Sequence, residues 1–416
     1  SRGLGDVYKR QLIYNSLAYI LMALFFLRKD HFKVTVQNIP FLWLAIGAFS
    51  SYMFYIQPGF EYTVHYSIMQ IHPFVYLFFC LFILFVSFRF VQADKLSVQI
   101  PYRRFMKVIN FTLPFLVLLV LIHAYDVLHT NLANMADVRE DLYSGGLQKN
   151  PFLNFYVINT IDRILTHGIT VFICLSFFAL VFIPKTPKVV CFIISPYVLA
   201  CEIAFSTATR ATFFFIIAIF VFQYFLYRPY MSKKMNNVVR SIFILGGGSL
   251  GLLIFAMTIA RFSDSASLFF YKYAGEAMIN FNGLLFDHVK GTTDGVAYFW
   301  YIPNLLGIDG FKMGNNLEWK WDLIQLKTGV PGLYFYTIVG GFIFEFGKIA
   351  TPFIIVVLSI LLIIYFRKKG NLSKLIVISW IAYLMFESTF LFPLQGDGGV
   401  INTVLLLAMN KYLSKG

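Results

Sequence analysis

The sequence predicts an all-α, polytopic membrane protein: a bundle of transmembrane helices with one large loop domain on the extracytoplasmic side. Three observations carry that expectation. Hydrophobic residues fill 59% of the 416 positions and charged residues only 13%, outside the usage of soluble domains. Apolar windows of about 18 or more residues recur along the whole length, enough for a helix to cross a bilayer. Lys and Arg gather in alternate loops, the pattern that orients membrane helices. Lipid offers no hydrogen-bonding partners, so only helices and closed barrels can span it, and these runs lack a barrel's strict alternation.

The first stretch, SRGLGDVYKRQ over residues 1–11, has no initiator Met and no signal-peptide pattern. It reads as a non-native junction and is set aside. Spans are then expected at roughly 12–27, 39–56, 67–91, 111–127, 164–183, 189–205, 211–227, 241–260, 349–366, 375–392 and 400–413. That is about eleven visible spans, and twelve if one precedes the visible chain. Residues 12–260 form an N-terminal transmembrane bundle, 261–331 an extracytoplasmic loop with interfacial helices, and 332–416 a re-entrant segment followed by the C-terminal spans. Pro151 to Arg163 and Pro331 to Gly347 read as short interfacial or re-entrant helices. Cys80, Cys174, Cys191 and Cys201 all fall in apolar segments, so neither a disulfide framework nor a Cys metal site is expected.

One set of loops carries the basic residues, from Arg28, Lys29 and Lys33 through Lys185 and Lys188 to Lys411 and Lys415, with only Asp30 and Asp94 against them. That side is the cytoplasm by the positive-inside rule. The net charge of +14 is therefore a topology signal and does not call for a nucleic-acid partner. The opposite side carries the loop with Asp137, Arg139, Glu140 and Asp141, and the long excursion 261–331, which holds Trp300, Trp319 and Trp321. Asp126, Glu202, Glu345 and Glu387 sit near this end of their spans, and so do His65, His72, His123, His129, His167 and His288, leaving only His31 inside. Ionisable groups at lipid depth usually face a polar cavity, so a shared outer cavity is expected, although helix ends also tolerate single charges by snorkelling.

Within that cavity the residue types suggest chemistry. Arg210 closes the run Phe205-Ser-Thr-Ala-Thr-Arg, and Arg261 stands where another span leaves the membrane. Both oppose the positive-inside bias. A guanidinium presents a planar fork of donors matched to phosphate oxygens, so Arg210 and Arg261, with Lys272 and Arg139, are the candidates for a diphosphate. An interfacial Arg pairing with lipid phosphate or with Glu202 is the plainer alternative. Tyr271, Tyr273, Asn280 and Asn282 mix aromatic faces with amides, which suits sugar rings and hydroxyls. Leu268, Met278, Phe281 and Leu285 fit a membrane-surface helix equally well. Glu276, Asp287 and His288 are candidates for taking a proton from a sugar hydroxyl. No P-loop, GxGxxG, HExxH, CxxC or Asp-x-Asp pattern is present, so no metal, nucleotide or other cofactor is expected.

Three stretches resemble a known family. Phe205-Ser-Thr-Ala-Thr-Arg210-Ala-Thr is similar to a small-residue-plus-Arg turn that opens an apolar helix, Tyr271 to Asn282 to an aromatic, Asn-rich outer segment, and Tyr334 to Gly347 to an aromatic-Thr…acidic-Phe-Gly stretch before a late span. Together they resemble bacterial O-antigen or oligosaccharide repeat-unit polymerases. The resemblance implies a membrane glycosyltransferase, independent of metal and nucleotide, in the bacterial inner membrane with its active site facing the periplasm. Its donor would be a polyprenyl-diphosphate-linked oligosaccharide, its acceptor a lipid-linked repeat unit, and a chain-length regulator a further partner. An O-antigen ligase uses the same chemistry, a lipid-linked oligosaccharide flippase is an alternative of another class, and a non-enzymatic assembly partner is a third.

Overall fold

A computed structural model of the chain describes residues 2–60, 66, 69–92, 96, 101–130, 150–262, 266–299, 317–394 and 396–414. Among them the architecture is helical, with no β-strand. The helices are α1 Arg2–Lys29, α2 Ile39–Tyr55, α3 Ile71–Val86, α4 Tyr102–His129, α5 Tyr156–His167, α6 Ile169–Phe182, α7 Pro187–Ser206 and α8 Arg210–Tyr227. They continue with α9 Lys233–Phe262, α10 Ala266–Asn280, α11 Val296–Phe299, α12 Leu317–Thr328, α13 Thr337–Arg367, α14 Lys374–Ser388 and α15 Gly396–Ser414.

Seven helices among the described residues are long and apolar enough to cross a membrane, or eight if a bent pair counts as one span. The expected eleven are not all met. Helix α2 is apolar but has 17 residues, and α14 has 15. At about 1.5 Å per residue these fall short of a hydrocarbon core of about 30 Å. The bent pair is α5 and α6, which turn by 64° at Gly168, where the sequence suggested an interfacial helix leading into a span. Gly347, at φ 79° and ψ 169°, breaks α13 in the same way, so the re-entrant stretch and the late span are separate helical pieces. At the other end, α1 runs back through residues 2–11, so the composition change there is not a break in the helix.

The chain forms two compact units. The first comprises Ser1–Val91, Ser265–Lys368 and Leu384–Gly396; the second comprises Gln92–Asp264, Lys369–Tyr383 and Asp397–Gly416. This differs from the division expected at 260 and 331, because the start of the supposed loop is core in the first unit. Helix α10, continued by a π-helical turn Phe281–Phe286, is buried from Gly275 to Gly283. It packs backbone to backbone on α2, where the Ser51 hydroxyl donates to the Gly275 carbonyl at 2.7 Å. Small residues permit this approach. Helix α1 meets α2 likewise, with Ser16 donating to the Ala48 carbonyl at 2.7 Å, and α13 meets α3 with Ser359 donating to Ile83 at 2.7 Å.

One ion pair anchors the basic end of this unit. The Arg89 guanidinium grips Asp30 through two bonds of 2.7 and 3.0 Å, while Thr35 and Asn38 donate to the same carboxylate. Burial opposes the carboxylate charge, but Arg89 and the two neutral donors outweigh it and hold Asp30 below the ordinary aspartate range.

The second unit is knit by aromatic packing. Tyr227, fully buried, lies against Phe177, Phe178 and Phe182, and Phe105 of α4 stacks on Phe178 at 5.2 Å. The Ser176 hydroxyl donates to Phe192 between α6 and α7, and Thr170 donates to the Asn402 side chain between α6 and α15.

A methyl on Gly275 would fall 2.3 Å from the Ser51 nitrogen, and backbone cannot yield as a side chain does. Gly275→Ala is expected to destabilise the protein by about 1–3 kcal/mol. Gly248→Ala, where nothing lies within 4 Å, should not; thermal unfolding in detergent checks both. The Asp30 pair yields a pH dependence. A carboxyl depressed in the fold contributes stability above its unfolded pKa, and this is lost as pH falls through the folded value. The wild type should therefore melt at falling temperature below about pH 4. Asp30→Asn should melt lower at pH 7 and lack that component of the pH profile.

Candidate functional site

Arg210 is the first residue of α8 and is buried, with 4% of its surface exposed. The turn before it explains why. Ala208 adopts φ +50°, an uncommon backbone for a residue with a side chain, and lets the chain reverse in three residues. The Thr209 amide returns to the Ala204 carbonyl at 2.8 Å, and Thr207 and Thr209 join hydroxyls at 2.9 Å. Ala204, Ala208 and Phe213 then pack on Ile254 and Met257 of α9. This places the guanidinium beside Thr258, whose hydroxyl accepts from Nη1 at 2.9 Å and donates its own proton to the Ile254 carbonyl at 2.7 Å. The hydroxyl is thereby oriented by both bonds, and it holds the cation. Arg261 lies three residues further along α9, in its last turn, with its side chain outside the described residues.

A second polar cluster lies in the same unit. His123 and Asp126, one turn apart on α4, share a face, and His123 Nδ1 is 3.3 Å from Asp126 Oδ2. The other ring nitrogen, Nε2, is 2.9 Å from Asp162 Oδ1 of α5. Asn150 positions the approach to α5 by donating to the Ile122 carbonyl and accepting from the Phe152 amide, both at 3.0 Å. Glu202, near the end of α7, lies close enough to His123 to feel its charge. Acids and a histidine thus converge within this unit, which realises part of the expected clustering.

The other described candidates lie in the first unit. Lys272 and the buried Glu276 face each other at 3.8 Å across one turn of α10, and Lys272 also sits over the Phe269 ring. Asp287 pairs with His72 at 3.1 Å on an exposed surface, with His288 exposed beside it. Tyr271 packs against the core cluster of Leu12, Phe54, Met69, Leu268 and Ile279, and Tyr273 meets Phe335 edge-on.

Asn280 and Asn282 need a different reading from the expected one. Asn280 accepts from the Tyr66 hydroxyl and donates to the Phe335 carbonyl, while Asn282 accepts from the Gln70 amide and donates to the Gln70 carbonyl. Both are buried. Their amides close the fold around α3 and are not a glycan-facing surface. Arg139, Asp264, Trp300 and Asp309 lie outside the described residues, as do the side chains of Glu318 and Trp319.

Glu345, expected to face a shared outer cavity, and Lys320, which had no expected role, meet around α11 in the first unit. The buried Glu345 carboxylate accepts from the Thr293 hydroxyl and the Tyr298 amide, so it caps the short helix α11. Lys320 of α12 lies over the Tyr298 ring at 5.3 Å, and burial pulls its pKa down to about 8 against the opposing influence of Glu345. Among the described residues no three His, Cys, Asp or Glu side chains converge as a metal site. No family model matches this chain, and no curated protein or solved structure matches it.

His123→Leu leaves Asp126 and Asp162 near each other without the ring between them. It is expected to cost about 3–5 kcal/mol, as for a broken buried pair. Adding Asp162→Asn should recover part of that, with a coupling of about 0.5–3 kcal/mol from a double-mutant unfolding cycle.

Proposed function

We propose that this chain is a membrane glycosyltransferase that joins polyprenyl-diphosphate-linked oligosaccharide repeat units into a surface polysaccharide. The observation that carries the reading is the buried Arg210 guanidinium, held by Thr258 at the start of α8 within an apolar helical unit. An arginine stays charged at any relevant pH, and its planar fork of donors matches phosphate oxygens. The amino-terminal dipole of α8 favours an anion at the same place.

In this reading a hydroxyl of the acceptor sugar attacks the anomeric carbon of the donor. The carbon–oxygen bond to the diphosphate breaks, and polyprenyl diphosphate leaves with the bonding pair. Arg210 and Arg261 stabilise the charge that develops on it. The hydroxyl proton passes to a carboxylate or an imidazole. The Asp126 and Asp162 carboxylates, in the same unit as the arginines, are the candidates. In this reading the basic loops face the cytoplasm, the apolar helices cross the bacterial inner membrane, and the chemistry takes place on the periplasmic side. A chain-length regulator would act beside it.

The test is extension by the purified protein of lipid-linked repeat units without added nucleotide, read as a ladder on a gel. Arg210→Ala and Arg261→Ala are each expected to slow extension by about 10²–10³-fold while the protein stays folded. Wild-type ladders from both variants would remove these arginines from the mechanism. Passage of the lipid-linked glycan across proteoliposomes without extension would make the protein a flippase, and transfer to a lipid core instead of to a second repeat would make it a ligase.

A further inference from the structure

Helices α6 to α9 of the second unit line an open groove of about 580 Å³, within the roughly 300–1,000 Å³ of small-ligand sites. Its walls are apolar, with Leu180, Ile193, Phe220, Phe243 and Leu250 among them. Helix α9 contributes Gly246 and Gly247, and beside Gly246 nothing lies within 4 Å. The lining of α7 runs from Ile193 to Glu202 and that of α9 from Ile242 to Leu250. At 1.5 Å per residue these are about 13 and 12 Å long. The hollow is therefore an elongated groove along the helix axes, suited to an extended hydrocarbon chain.

A carboxylate and a phenol interrupt it, beside the hydroxyls of Ser176 and Ser249. Glu202 is the last lining residue of α7, at the end away from Lys185 and Lys188, and its Oε2 is buried without a hydrogen-bond partner. The Tyr197 hydroxyl, also on the lining, is likewise buried without a partner. Buried polar atoms in such a state ordinarily have a partner, and each one lacking it calls for an explanation. Glu202 stands within electrostatic reach of His123, which itself lies against Asp126 and Asp162, and Arg210 opens α8 just beyond the α7–α8 turn. A head with N–H donors and a positive charge would satisfy Glu202.

We propose that this groove holds one chain of a bilayer lipid whose head group carries a primary ammonium, with that ammonium on Glu202 and the Tyr197 hydroxyl bonding deeper in the lipid. The site is independent of the glycosyl-transfer reading and stands or falls on its own.

The full-length protein, delipidated in detergent, would be titrated with phosphatidylethanolamine, phosphatidylcholine and phosphatidylglycerol of identical acyl chains, with binding read by native mass spectrometry. Phosphatidylethanolamine should bind about tenfold more tightly than phosphatidylglycerol, the order contributed by a hydrogen bond to a charged group. Glu202→Gln should bring the two within about twofold, because the amide keeps the shape and loses the charge. Gly246→Phe, which fills open space, should abolish binding at this site while circular dichroism stays unchanged. If Glu202→Gln does not stay monodisperse, phosphatidylcholine reads the same contact in the wild type, since its quaternary ammonium has no N–H and should bind more weakly. Equal binding of the three lipids to the wild type overturns the proposal. A preference retained in Glu202→Gln, or displacement of phosphatidylethanolamine by a polyprenyl phosphate, overturns it as well.

Discussion

A hydroxyl on one helix bonded to a backbone carbonyl of the next recurs through both units. Ser16 reaches Ala48, Ser51 reaches Gly275, Ser359 reaches Ile83 and Ser176 reaches Phe192. Each needs two helix axes close together, and small side chains at the contact allow it. Hydrophobic contact alone cannot select these partners in a lipid environment, because a lipid tail is as apolar as a leucine. The small-residue contacts therefore set which helices pair, and the positions of the charged side chains follow from that pairing.

The ionisable groups illustrate the consequence. Thr258 can hold Arg210 only because Ala204 and Ala208 let the α7–α8 turn sit down on α9. Asp162 reaches His123 because Asn150 ties the start of the α5 segment to the end of α4. Glu345 is buried where it meets the donors of α11 and Thr293, directly before the Gly347 break. In each case a polar group at depth is matched by a specific neighbour, as the low dielectric demands. Glu202, Tyr197 and Gln223 depart from this pattern, and the first two line the groove.

Arg210 was legible because an arginine away from the basic loops opposes the orientation signal, and the short run of small residues before it marks a turn. Thr258 was not, since one threonine in an apolar run carries no distinguishing mark. The acids and histidines near one end of the spans were legible as a group, but the pairing of His123 with Asp162 depends on how α5 folds back. Asn280 and Asn282 misled for a related reason. An amide among aromatic residues looks the same whether it awaits a sugar or closes on Tyr66, Phe335 and Gln70. The charges of the long polar stretch suggest a loop with interfacial helices, yet Gly275 supplies the narrow face that buries its start on α2.

By itself the sequence determined that the chain is helical and membrane-like, because runs of apolar residues leave the backbone no other way to satisfy its polar groups in lipid. It also marked the break at Gly347, where the re-entrant stretch ends, whereas the bend at Gly168 falls inside a stretch that reads as one span. Only the tertiary structure decided how many helices are long enough to cross, which polar side chains meet and which hollow stays open. Those outcomes depend on contacts between residues far apart in the chain, and hydrophobic pattern carries no information about which distant partner a given face will find.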